Sequence, residues 1–277
     1  MYAPIIFKDA ILEYMNILIT GAGSGIGFDT TQALARKGHH VYAVVKKNSD
    51  CKQFKSLQNI TALQCDIASE ADRSKLADLS IDVLINNAGT GESGPIAYVP
   101  LERIKHNFEV NVFGTVALIQ LFTPHFIQKK KGRIINVSSV AGKIALPYLG
   151  VYNATKFALE AVSDSLRQEL KPYGVFVSVI EPGPITTGFN EKMIATKNAW
   201  LSKSKASPTE KNRMEKYHNS LISNQYSTDS VVAALIDAVE SKKPRTRFVA
   251  PKKYGWLVQL AVCIPDKLRD FVLQMQK

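Results

Sequence analysis

Residues Met15 to Gly38 constrain this chain more than any other stretch. MNILIT is a short apolar run ending at Thr20. TGAGSGIG (20–27) follows at once, and Thr31, Ala33, Leu34 and Ala35 continue towards Gly38. The pattern predicts a buried strand, a glycine-rich turn and a helix. Such glycines permit a tight turn and a close backbone approach to a diphosphate. The free N–H groups and dipole of the helix N-terminus then meet its charge. In that context the turn is the opening of a dinucleotide-binding fold.

The remaining pattern repeats strand and helix. HHVYAVVKK, ITALQCD, IDVLINNAG (81–89), GRIINVSS, VFVSVIEPG (175–183) and RFVAP read as strands. Residues 100–130 read as one long helix, with Ile104, Phe108, Leu118, Ile119 and Phe122 at core spacing and Asn111 inside it. Pro124 is expected to end or bend it. A second helix starts near 151, and STDSVVAALIDAVES gives another, running to about Ser241. The alternation predicts an α/β chain, a single Rossmann-type doubly wound domain with helices on both faces of a parallel sheet. A length of 277 residues fits one domain, 1–277.

The chemistry concentrates in Asn136–Lys156, NVSSVAGKIALPYLGVYNATK. Tyr152 and Lys156 are four residues apart, so on a helix they share a face one turn apart. An ammonium beside a phenol favours the phenolate. Bringing a tyrosine from ~10 to neutrality takes roughly 3 units, or about 4 kcal/mol. Ser139 ends a strand, where its hydroxyl can bond a substrate oxygen. The expectation is therefore a tyrosine, its pKa lowered by Lys156, that gives or takes a proton at neutral pH. The bland alternative is an exposed Tyr/Lys pair on an amphipathic helix.

Ser139 with YNATK thirteen residues on, TGAGSGIG and NNAG together resemble the short-chain dehydrogenase/reductases over about residues 16 to 190, and the long segment 188–226 and the tail look similar to the steroid and retinol dehydrogenase-like members. The resemblance implies a seven-stranded sheet of order 3-2-1-4-5-6-7 and alcohol–carbonyl interconversion with a nicotinamide dinucleotide. Tyr152 would be the general acid in reduction and the base in oxidation. Lys156 would lower its pKa and bond the nicotinamide ribose, and Ser139 would polarise the carbonyl. Asn111, in NxxG with Gly114, would interrupt its helix and hold a proton-relay water. The cofactor site would comprise Gly21, Ser24, Gly25, Ile26 and Gly27, then Lys46 and Lys47, Asp66 and Ile67, and Asn87, Ala88 and Gly89. Tyr152, Lys156, Pro182, Gly183, Ile185 and Thr187 would complete it. Asp66 is alternatively a helix cap, and Asn87 is alternatively structural.

The end of the second strand distinguishes NADP from NAD. This chain places Lys46 and Lys47 there and has no acid before Asp50, which suits a 2′-phosphate and predicts NADP(H), with NAD(H) as the lesser partner. A basic residue within the turn is absent, and Ser24 stands there. Substrate contacts are expected from Ser139, Tyr152, Leu146 and Met193. Residues 188–226 occupy the position of the family's substrate lid. Ile144, Leu146, Pro147, Tyr148, Met193 and Trp200 predict an apolar pocket and a steroid- or retinoid-like ketone, aldehyde or alcohol. The alternatives are a 3-ketoacyl thioester, or a cofactor-binding sensor or scaffold without turnover. Enoyl reductases space tyrosine and lysine more widely, and sugar epimerases need a longer substrate domain.

The formal net charge is +11. Its lysines are scattered among acids and lack interleaved aromatics, which argues against nucleic acid. Cys51, Cys65 and Cys263 show no metal spacing, and the five histidines show no HxxxH, so no metal is expected. A sparse, odd cysteine set predicts a reducing, cytoplasmic setting. Residues 1–15 form a motif-free extension that makes a poor signal peptide. No apolar stretch is expected to reach membrane-spanning length. The tail, 252–277, carries Trp256, Leu257, Leu260, Leu268, Phe271 and Val272. It is expected to cover the cleft, pack on a neighbour or lie on a membrane, in that order. Small residues Ala154, Ala158, Ala161 and Ser165 permit close helix approach, and the resemblance implies a homodimer or homotetramer built on this helix and the 100–130 helix.

Overall fold

A computed structural model describes residues 14–275. The first strand, β1 (Asn16–Thr20), is apolar on both faces because both are covered. Ile17 and Ile19 point to one side of the sheet and Leu18 to the other, all fully buried. β2 (His40–Val45), β3 (Ile60–Gln64), β4 (Val83–Asn86), β5 (Gly132–Val137), β6 (Val175–Pro182) and β7 (Arg247–Ala250) complete the sheet. All pairings are parallel, in the order β3-β2-β1-β4-β5-β6-β7. Because every strand runs the same way, their carboxyl ends and the loops after them gather along one edge, and the site forms there.

Helices α1 (Gly25–Arg36) and α9 (Asp229–Glu240) cover the face that holds Ile17 and Ile19, with Leu34, Val231 and Leu235 in the core. Two short helices, α2 (Asn48–Cys51) and α3 (Glu70–Ser74), follow β2 and β3. The opposite face packs Leu18, Val44 and Leu84 against Leu118, Phe122 and Phe126. These three belong to α5 (Thr115–Lys129), which α4 (Leu101–Phe108) enters through a π-helical turn, Glu109–Gly114. Pro124 does not end this helix. α5 runs to Lys129 and stops at Lys130, which is left-handed at φ 49°. Buried Phe122 and Phe126 flank Pro124 and hold the helix on the sheet, and this burial outweighs one missing backbone hydrogen bond. Residues 101–129 are also long and apolar enough to cross a membrane, contrary to the sequence expectation. Half of the most apolar window is buried in the fold, so the apolar length reflects a core helix.

α6 (Gly150–Leu170) packs against α4 and the π turn. The expected lid is two helices, α7 (Phe189–Leu201) and α8 (Pro208–Ser223); Ser207 caps α8 by accepting the Glu210 amide at 3.2 Å, with Pro208 at the first helical position. The tail forms α10 (Lys253–Cys263) and α11 (Asp266–Met275). Residues 1–13 of the N-terminal extension, residues 276–277, and the side chains of Leu257 and of residues 272–275, Val272 among them, fall outside what is described. Met15 is buried, and Cys51, Cys65 and Cys263 are free thiols.

Candidate active site

The turn between β1 and α1 leaves no room for a side chain at Gly25 or Gly27. A Cβ on Gly27 would lie 2.2 Å from the Gly21 carbonyl oxygen, and one on Gly25 would lie 2.6 Å from the Thr187 Cβ. Ser24 precedes α1 without capping it by its side chain, so first-turn amides remain for an anion. Thr20 and Asn87 lock the turn from below. The Thr20 hydroxyl accepts from the backbone amides of Asn87 and Ala88, both at 3.0 Å, and Asn87 Nδ2 donates to the carbonyls of Thr20 (2.9 Å) and Gly21 (3.3 Å). The side chain of Asn87 is therefore structural, although the residue lines the cleft.

At the far end, Lys46 pairs with Asp66 at 2.7 Å while remaining 62% exposed. Burial would raise the pKa of Asp66, but hydrogen bonds from Lys46 and the Ala68 amide outweigh it and hold the carboxyl below its ordinary value. Lys47 does not line the cleft, in contrast to its neighbour. Alternation along an extended chain separates adjacent side chains.

The reacting groups come from the segment after β5 and from α6. Asn86 and Asn136 bond each other at 2.9 Å, and Asn136 donates to Ser163 at 2.8 Å, so β4, β5 and α6 are tied through a buried polar ladder. Ser139 accepts from the Ala141 amide at 3.1 Å and donates to the Pro182 carbonyl at 3.4 Å. Lys156 is buried; its Nζ donates to the Val137 carbonyl at 2.8 Å and stands 5.7 Å from the centre of the Tyr152 ring. The Tyr152 phenol is pushed up to about 12 by burial, with a hydrogen bond from Ser139 acting against it. This corrects the expectation of a tyrosine made acidic by lysine. The Lys156 ammonium donates to a backbone carbonyl, and desolvation is the largest influence on the phenol. Burial also lowers Lys156 to about 8, opposed by Glu160.

Asn111 does not line the cleft. Its amide donates to the Thr90 carbonyl (2.8 Å) and Thr155 hydroxyl (3.0 Å) and accepts from the Thr90 amide (2.8 Å). This side chain pins the loop after β4 to α6 behind Lys156. The interruption of the helix is real, since Asn111 sits inside the π turn.

The cleft has a volume of about 460 Å³. Leu146, Leu149, Phe189 and Met193 line its substrate end, and Phe189 meets Tyr152 with ring centres 5.5 Å apart. The lid is anchored to the loop after β4. Trp200 Nε1 donates to the buried Glu92 at 2.9 Å, and the Ser93 hydroxyl donates to the Met193 carbonyl at 3.3 Å. The fully buried Lys197 holds α7 to α8 through Glu215 at 2.6 Å and His218 at 3.1 Å. Burial, then Lys197, lower His218 to about 4, so its neutral ring accepts from the lysine.

The sequence profile described as short chain dehydrogenase matches residues 15–198. The chain belongs to the short-chain dehydrogenase family. It is an NAD(P)-dependent oxidoreductase acting on an alcohol or the matching carbonyl. It is 32% identical over 268 residues to the NADPH-dependent 3-dehydrocapnine reductase of Ornithobacterium rhinotracheale, covering 91% of this chain and 94% of that one. It is 33% identical over 285 residues to the mitochondrial D-beta-hydroxybutyrate dehydrogenase of Mus musculus, covering 92% and 82%. A crystal structure of a short-chain dehydrogenase from Streptomyces avermitilis shares the fold at TM-score 0.79 and 22% identity, covering 95% and 96%.

In this short-chain dehydrogenase, every expected cofactor residue except Lys47 lines the cleft, as do Ser139, Tyr152, Lys156, Leu146 and Met193. Residues that the sequence reading did not place there include Thr90, His106, Leu149, Phe189, Lys192 and Leu221. Phe189 carried a signal, being the first large apolar residue after PGPITTG. His106 carried none, because its position depends on how α4 enters the π turn.

Proposed function

We propose that this short-chain dehydrogenase is an NADP(H)-dependent reductase of a lipophilic ketone or aldehyde. One arrangement carries the reading: Ser139, Tyr152 and Lys156 line the same cleft as Leu146, Leu149, Phe189 and Met193, which form its apolar end. A protonated phenol is the form that donates to a carbonyl oxygen.

The residues fit a nicotinamide dinucleotide. The cradle at Gly25 and Gly27 is closed to side chains, and the first-turn amides of α1 are free of a side-chain cap. Pro182, Gly183, Ile185 and Thr187 line the opposite wall. Exposed Lys46 beside Asp66 supports a 2′-phosphate contact, and a relative described as NADPH-dependent agrees. When bound, the dinucleotide supplies or accepts hydride. The Ser139 hydroxyl turns from the Pro182 carbonyl to donate to the substrate oxygen. Tyr152 delivers its proton to the same oxygen as negative charge develops there. Lys156 holds positive charge behind the phenol and would bond the nicotinamide ribose. The relay role assigned to Asn111 rests on its backbone in the π turn, because its side chain is occupied. Leu146, Leu149, Phe189 and Met193 exclude water.

The test is oxidation of NADPH and NADH against lipophilic ketones and aldehydes, 3-ketoacyl thioesters and short hydroxy acids. The expected result is preference for NADPH with a lipophilic carbonyl. Thioester turnover selects the acyl alternative, and short-acid turnover refutes the substrate class. Absence of all turnover with NADPH binding intact favours the sensor.

The proposed assembly is a homodimer through α4–α6, where Leu101, Phe113 and Phe157 are exposed; sedimentation of Phe157→Glu as a monomer would support it. The free, sparse cysteines fit a cytoplasmic setting. α10 stands beside the cleft, since Tyr254 packs on Gly183. Its Trp256 and Leu260, with Leu268 and Phe271 of α11, are exposed near Lys252, Lys253 and Lys267, which favours a lipid contact. Loss of vesicle binding on removing residues after 252 tests it.

A further inference from the structure

Behind Lys156 lies a buried charge cluster that the catalytic scheme leaves unused. α6 places Glu160 one turn beyond Lys156 on the same face, and both are buried. Glu160 Oε2 receives Arg247 Nη2 at 3.0 Å and Nε at 3.3 Å, while its Oε1 has no hydrogen-bond partner among the described residues. Arg247, on β7, also meets Glu181 of β6 at 3.0 Å and Asp164 of α6 at 2.7 Å. The cluster adjoins the reacting strand. A Cβ on Gly142 would lie 2.8 Å from Ser138 Oγ, 3.1 Å from the Lys156 carbonyl and 3.2 Å from Glu160 Cγ.

We propose that Glu160, gripped by Arg247, is a positioning residue for Lys156: it is the buried counter-charge that keeps the catalytic ammonium charged and aimed.

A buried ammonium needs an opposite charge, and among the described residues Lys156 Nζ donates to the neutral Val137 carbonyl and to no carboxylate. The groups facing it are the Tyr152 ring, at 5.7 Å, and Glu160 from its own helix. Burial pulls Lys156 down to about 8, and Glu160 acts against that pull. Arg247 cannot balance three carboxylates. The surplus is taken up by Glu181, which burial, then Glu160, push up to about 7, with Arg247 and Lys143 opposing. Glu181 therefore gains a proton as pH falls, while Glu160 keeps both Arg247 donors on its Oε2. Asp164 faces solvent and is shared with Arg167, at 3.1 Å, so it belongs to the outer rim.

The inference rests on Lys156 being catalytic, which Lys156→Ala tests separately: that variant has to lose turnover. The decisive experiment is the pH profile of kcat/KM for NADPH at saturating carbonyl substrate, which reports groups of the free enzyme. In the wild type, an alkaline limb near 8 is expected from Lys156. In Glu160→Gln the limb should move down by about one unit, the scale of a lost neighbouring charge. Glu160→Asp keeps the charge on a shorter arm, so it should fold and shift the limb by less. Glu181→Gln should not lower the limb. A structural role alone would scale activity down with the limb unmoved. An unmoved limb in whichever Glu160 variant folds, or an equal downward shift in Glu181→Gln, would overturn the proposal.

Discussion

Gly27→Ala is the sharpest test of the cofactor cradle. The added methyl would sit 2.2 Å from the Gly21 carbonyl oxygen, 2.8 Å from its carbon and 2.6 Å from Asn87 Nδ2. Two of these are backbone atoms, so no rotamer change relieves the contact. Restoring van der Waals separation requires a displacement on the order of 1 Å between α1 and the turn, and overpacking of this kind costs about 1–3 kcal/mol. In a chain of this size each kcal/mol lowers Tm by roughly 2–4 °C. The same displacement misplaces the amides that meet the diphosphate, so NADPH affinity should fall at least about tenfold, or roughly 1.4 kcal/mol. Fluorescence titration of NADPH and a thermal melt give both quantities. Gly255→Ala, in α10, is the control. Its methyl meets nothing closer than 3.8 Å, so helix propensity should leave it neutral or stabilise it by about 0.5–1 kcal/mol. NADPH binding by Gly27→Ala within twofold of the wild type would refute the geometry.

Three further outcomes follow from the charges and the lid. Lys46→Ala should weaken NADPH but not NADH binding, while Lys47→Ala changes neither; parallel titrations decide it. Glu181 is buried and held near 7 against 4.5, so its unfolded form loses the proton first as pH rises. Stability is therefore unpenalised below pH 4.5 and falls by about 3 kcal/mol between 4.5 and about 7. Glu181→Gln should raise Tm relative to wild type more at pH 8 than at pH 4.5; an equal offset at both would contradict this. Trp200→Phe leaves the buried Glu92 without its donor at a cost of about 1–3 kcal/mol. It should raise the KM for the carbonyl substrate with little change for NADPH.

The sheet was legible in the sequence because apolar strands buried on both faces leave runs such as NILIT and VLIN, and the family resemblance supplied their order. The cradle was legible because contacts as close as those at Gly25 and Gly27 admit no other residue. Other features depend on tertiary packing. Nothing local distinguishes Lys46, paired with Asp66, from Lys47 next to it. Pro124 read as a helix stop because the local rule concerns one hydrogen bond, whereas Phe122 and Phe126 hold the turn in place. The polar spacing of 188–226 hid two helices joined through the buried Lys197, whose partners Glu215 and His218 lie a helix away. The acidity of Tyr152 was misread for the same reason. The i,i+4 spacing shows that a lysine is near, but it does not show that the ammonium bonds the Val137 carbonyl or that the phenol is desolvated.

The most direct measurement is turnover by Tyr152→Phe, with NADPH binding followed in the same preparation. Removing one hydroxyl leaves the cradle, Lys46 and the lid untouched. Carbonyl reduction should fall by at least about 10²-fold, the scale of one acid–base group, with the Kd for NADPH within about twofold of wild type, or roughly 0.4 kcal/mol. Wild-type turnover in the variant would contradict the assignment of Tyr152 as the proton donor.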